Sequence, residues 1–254
     1  MTSRTCAHGL VRLALSAGLL ATFVPAVDAR MGEPPLSHSA ALQPLEMVAV
    51  LELERVDRDA LLAEDEAAKA TGTAKPLRYA SPVDMELSAA AAGTWQLLPD
   101  GSQVWRLRVH APGATDLNFG FSRFDLAPGA TLHIWSEDHE YFQGPYTAED
   151  ASHVGDFWTP VVPGGSVVIE LHEPAGAAAP SELVLGRVGR GYRDLFRLEE
   201  GAAKAEACNV DAICPDADAW RDEIRSVARI SIGGTGFCTG TLIMDVPGSF
   251  TPYF

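Results

Sequence analysis

The chain has 254 residues, 47% of them hydrophobic and 21% charged, with 34 acidic against 19 basic residues and a formal net charge of −15. A balance this acidic repels DNA, RNA and anionic membranes, and no basic patch offsets it. It suits solubility outside the cell.

Residues 1–29 have the features of a secretory signal. Arg4 and Arg12 form the positive start, and Leu13 to Val24 is an apolar core too short to span a bilayer comfortably. Val27-Asp28-Ala29 puts small residues at the −3 and −1 positions, so cleavage is expected after Ala29. No other apolar run is long enough to cross a membrane, so a secreted product with no membrane attachment is expected.

Residues 30–92 read as a loosely organised leader. Val48 to Val56 alternates well enough for one strand, and Arg58 to Ala70 reads as a short helix. Residues 71–92 contain Pro76 and Pro82 and end in an alanine run.

Residues 93–195 carry turn signals at Pro99-Asp100-Gly101, Pro112-Gly113, Pro128-Gly129 and Pro163-Gly164-Gly165, with period-two runs between them. Trp105, Leu107 and Val109 share one face, and Arg106, Arg108 and His110 the other. Leu117, Phe119 and Phe121, then Leu132 and Ile134, then Val167, Ile169 and Leu171, and finally Leu183 and Leu185 extend the pattern. One apolar face per strand suits two antiparallel sheets over a shared core. The expected fold class is all-β: a β-sandwich of jelly-roll or immunoglobulin-like type, able to bury its core without disulfides. Residues 196–207, charged and small, read as an exposed linker.

Candidate chemistry within this region is sparse. His133, Asp138, His139 and Glu140 are candidate metal ligands, but the spacing puts His133 outward on a strand and the others in the next turn, so no metal and no cofactor is expected. Trp95, Trp105, Trp135, Trp158 and Tyr146 suit either a sugar-binding groove or a core, and core is favoured because Trp105 shares a face with Leu107 and Val109. Gly164-Gly165-Ser166 reads as a turn, not as a nucleophile motif.

Four cysteines occur. Cys6 leaves with the signal, and Cys208, Cys214 and Cys238 remain. An odd count in an exported chain means a free thiol, an intermolecular bond or a missing partner.

The segment ACNVDAICP (207–215), followed by WRDEIRSV (220–227), resembles the opening of the mature lysyl endopeptidase family of secreted bacterial proteases. GFCTGTLI (236–243) resembles the strand before the catalytic histidine of trypsin-like serine proteases. More loosely, residues 93–114, 142–150, 156–165 and 191–195 resemble the pro-regions of the same proteases. The resemblance implies that residues 208–254 are the first strands of a trypsin-like β-barrel. It implies too that Cys208, Cys214 and Cys238 pair with cysteines further along, and that the histidine follows in an L-T-A-x-H-C run. Phe254 stands where that run is expected to begin, and neither a histidine in that context nor a G-D-S-G serine occurs here. The chain is therefore expected to be the N-terminal part of a serine endopeptidase precursor, catalytically silent by itself, since such hydrolysis needs serine, histidine and carboxylate in one cleft. Peptide substrates belong to the full-length enzyme, and the pro-region is expected to fold onto its own protease domain. Lys204 is the candidate bond for release of that region, with Arg197 the alternative. A secreted, non-enzymatic sandwich that binds protein or carbohydrate is the competing expectation.

Overall fold

A computed structural model describes residues 32–71, 76–152, 154–196 and 215–243. The strands are β1 (Val50–Glu52), β2 (Leu77–Arg78), β3 (Ala80–Ser88), β4 (Thr94–Leu97), β5 (Gln103–His110), β6 (Asp116–Asp125) and β7 (Thr131–Ser136). They continue with β8 (Phe142–Tyr146), β9 (Phe157–Trp158), β10 (Val162–Pro163), β11 (Ser166–Glu173), β12 (Glu182–Gly191), β13 (Val227–Ile232) and β14 (Gly236–Thr241). The helices are α1 (Arg58–Ala70) and α2 (Arg221–Ser226).

The first sheet runs β1-β5-β11-β7-β8, with β4 on β5, and the second runs β10-β6-β12-β3, with β9 on β6. Chain neighbours β5 and β6, and again β11 and β12, lie in different sheets, so each sheet joins strands far apart in sequence, beside local pairs such as β4-β5 and β7-β8. That is the jelly-roll kind of sandwich. The core between the sheets holds Trp105, Leu107 and Val109 from β5, Leu117, Phe119, Phe121 and Phe124 from β6, Ile134 from β7, Ile169 from β11 and Val188 from β12. Apart from Phe124 and Val188, which lie past register shifts in β6 and β12, these are the faces that the period-two runs select. A third, open sheet has the order β13-β14-β2, and no closed barrel is present among the described residues.

Helix α1 begins where Asp57 accepts a hydrogen bond from the Ala60 N–H at 3.0 Å, which satisfies one of the free amides of the first turn. None of its residues is buried, so its place is set by polar contacts rather than by an apolar stripe.

Two features depart from the sequence reading. First, the stretch 30–92 supplies sandwich strands: β1 pairs in parallel with β5, and β3 pairs with β12 along its length. Pro82 of β3 sits opposite Gly189 in an edge strand, where one side of the ladder needs no amide. Second, His133 does not face outward to water; it is 6% exposed. Residues 32–47 run across the outer face of the first sheet and cover it. The same strap buries Arg106, which the alternation also assigned to the open face, and its cross-strand neighbour Glu170.

Candidate functional site

The segment Leu77 to Ala80 joins the sandwich to the C-terminal hairpin. Leu77 and Arg78 pair antiparallel with Phe237 and Gly236. The amides of Tyr79 and Ala80 then both donate to the Thr235 carbonyl, at 2.8 and 3.3 Å. The Tyr79 side chain is fully buried between the two parts. Its ring stacks on Phe237, with centroids 4.1 Å apart and planes at 12°. Its hydroxyl lies 2.9 Å from Ser231 Oγ on β13 and accepts a 2.8 Å hydrogen bond from Asn118 Nδ2 on β6. Burial pushes the Tyr79 hydroxyl above its ordinary range, so it stays neutral and able to donate.

The hairpin turn is shaped for the same surface. Gly233 and Gly234 both have positive φ, 55° and 68°, which a tight hairpin turn requires. A side chain on Gly234 would run into the Trp158 ring, and one on Gly189 would run into Asn118. Backbone thus approaches backbone across the seam.

A polar hub fixes β2 from the other side. Arg78 donates to Asp65 Oδ1 at 3.0 Å and to Glu64 Oε2 at 2.9 Å, both on α1. Asp65 also accepts from the Tyr192 hydroxyl at 2.7 Å and from Arg193. Burial alone would raise the Asp65 carboxyl, but hydrogen bonds from Tyr192 and Arg193 and the charge of Arg78 hold it below the usual range. Next to the hub, Asp116 is buried, with its carboxyl pushed up to about 6 by desolvation despite a hydrogen bond from Thr115. Its Oδ1 has no hydrogen-bond partner among the described residues.

A cavity of about 570 Å³ opens at this seam, lined by Arg58, Leu62, Tyr192, Arg193, Phe237 and Cys238 among others. Cys238 is exposed there, with no disulfide partner among the described residues. Cys208, Cys214, Lys204, Arg197 and Ala29 lie outside the described residues. The remaining candidates separate. Asp138 accepts from Ser136 and from the Glu140 amide, while His133 bonds to the strap, so they do not converge on one point. Among the described residues no group of three or more His, Cys, Asp or Glu is placed to hold a metal. Trp105 and Trp135 are buried, whereas Trp95 and Trp158 are partly exposed at 37% and 38%. Ser166 opens β11 after the Gly164-Gly165 turn, as the reading has it. Its Oγ lies 2.7 Å from His110 Nδ1, but among the described residues no carboxylate bonds His110, so no catalytic triad forms.

The seam separates two stretches that two family models match independently. The model described as the lysyl endopeptidase N-terminal domain matches residues 46–185, and the one described as the lysyl endopeptidase C-terminal domain matches residues 202–254. The chain belongs to the lysyl endopeptidase family. A lysyl endopeptidase of Pseudomonas aeruginosa is 28% identical over 166 residues, covering 59% of this chain and 35% of that protein. This member of the lysyl endopeptidase family thus spans about a third of the length of that relative. No solved structure matches it. Among the described residues no helix is long and apolar enough to cross a membrane. Sequence reasoning missed Tyr79, Asn118 and Asp65, since each gains meaning only from partners more than ten positions away.

Proposed function

We propose that residues 30–196 are the pro-region of a secreted serine endopeptidase precursor, and that the sandwich receives and holds the first hairpin of the protease part. The observation that carries this reading is Tyr79, buried between Phe237 and Asn118 where the two family domains meet. All-β barrels depend on contacts distant in sequence, so a folded platform that fixes one hairpin shortens the search for the rest. Export by residues 1–29, cleavage after Ala29 and release near Lys204 belong to the same proposal. So does lysine specificity, which rests on the name of the relative.

The chain by itself is proposed to be catalytically silent, because among the described residues no serine, histidine and carboxylate come together as a triad, and no histidine stands in a T-A-x-H-C context. Residues 30–254 are expected to leave lysyl and arginyl esters intact. Joined to a C-terminal segment carrying T-A-x-H-C and G-D-S-G, they are expected to cleave after lysine. Serine-inhibitor-sensitive turnover by residues 30–254 would refute the silent state. For the platform, Tyr79→Ala is expected to remove hydrogen-exchange protection from β13 and β14 while β11 stays protected. A hairpin equally protected in that variant would refute it.

A further inference from the structure

The strap at residues 32–47 lies on the outer face of the first sheet, and its contacts follow a chemical pattern. Strand register sets Arg106 of β5, Glu170 of β11 and His133 of β7 side by side in one row across the first sheet. All three are buried, with Glu170 at 0% exposure. The strap supplies each with a backbone partner. The Arg106 guanidinium donates to the Gln43 carbonyl at 2.6 Å, the Ser37 amide donates to Glu170 Oε1 at 3.2 Å, and His133 Nε2 donates to the Glu33 carbonyl at 3.1 Å. Trp135 Nε1 takes the second Glu170 oxygen at 3.2 Å.

His38 anchors the strap at this row. Its ring meets Trp135 edge-on at 5.2 Å, His139 at 4.5 Å and Phe142 at 5.8 Å. Its Nε2 is buried and has no hydrogen-bond partner among the described residues. A neutral imidazole tolerates that place, whereas an imidazolium would leave a charged donor unsatisfied near His133 and His139. We propose that the strap is an acid-released latch, held at neutral pH by uncharged His38 and His133 and let go when they take up protons.

The surrounding charges give the sign. Glu170 and Glu33 favour protonated histidine at this site. Burial opposes it, as do His139 beside His38, His172 beside His133 and the Arg106 guanidinium in the row. Arg108 is already bound by Glu137, and Asp138 is turned to Ser136 and the Glu140 amide. The balance lowers both His38 and His133, desolvation being the largest cause in each. A released strap returns them to the ordinary histidine value of about 6.5, so it binds more protons than the docked one. Docking is then strongest above about pH 6.5 and weakens as pH falls, by up to about tenfold per pH unit for each histidine.

The test is hydrogen exchange of peptides within 32–47 in the full chain at pH 7.5 and 5.0, corrected for intrinsic rate, with β11 as the internal reference. Strap protection is expected to fall at least about tenfold at pH 5.0 while β11 is unchanged. The double variant His38→Phe/His133→Gln keeps an aromatic ring and an amide donor, and its strap is expected to stay docked at both pH values. His38→Phe alone keeps the His133 bond and is expected to show a smaller loss than the parent chain. Equal strap protection at the two pH values in the parent chain overturns the proposal, and so does a pH-dependent loss in His38→Phe as large as the parent's.

Discussion

The sandwich and the C-terminal hairpin are both built from alternating β-strands, yet only one of them has a second layer. In the sandwich, Phe119, Leu132, Ile169 and Val188 are fully buried because each sheet covers the other. In the hairpin, Val227 is 50% exposed, Ile232 46% and Ile243 60%. Alternation makes a strand, but burial requires something for its apolar face to meet. The hairpin takes its order from the sandwich through β2, Tyr79 and the glycine turn.

The sharpest way to break that contrast is to cut one side chain from each region. Phe119→Ala should cost about 3–5 kcal/mol in urea denaturation, through lost burial and a cavity that the close-packed sheets cannot refill. Ile232→Ala, on the exposed side, should cost under about 0.5 kcal/mol. Comparable losses would mean that the hairpin has a core of its own.

A second test uses the buried carboxyl beneath the seam. Asp116 has its folded value raised to about 6, so the folded state holds a proton that the unfolded chain gives up near pH 4. The stabilisation is therefore fully present below about pH 4 and is lost as pH rises through about 6. Relative to Asp116→Asn, the parent chain should lose about 2–3 kcal/mol between pH 4 and pH 7. A flat difference across that window would place the Asp116 carboxylate in contact with water. The slope is opposite in sign to the strap's, and it is read from global unfolding rather than from exchange at residues 32–47.

The smallest of these effects isolates one oxygen. Tyr79→Phe keeps the stack on Phe237 but removes the hydroxyl from Ser231 and Asn118. The loss should be about 1–2 kcal/mol, mostly from the buried Asn118 amide left without its acceptor. It should appear as faster exchange in β13 with β11 unchanged. An unchanged hairpin would mean that ring stacking and the β2 pairing suffice.

The two regions were not equally legible in the sequence. The core faces of β5, β7 and β11 follow directly from period two, those of β6 and β12 only up to the bulges beyond Phe121 and Leu185, and helix α1 matches the reading of Arg58 to Ala70. Strand β3 is not among the expected elements, although Val83, Met85 and Leu87 alternate; it contains Pro82, which a strand accommodates at a sheet edge, and that place is set by tertiary pairing. The motif around Cys238 was readable because its order and spacing are local. The partners of Tyr79 were not, since Asn118 and Ser231 are brought to it by pairings that no short window contains.

Sequence alone thus determined which residues turn inward, where turns interrupt them, and which family the C-terminal motif points to, because each is a property of neighbours in the chain. Only tertiary structure decided which outward faces stay wet. Arg106, Glu170 and His133 stand on the polar side of their strands and are buried all the same, because residues 32–47 cross the sheet and give them backbone partners in place of water. Periodicity reports which side of a strand a residue takes; what lies against that side depends on contacts made across the whole chain.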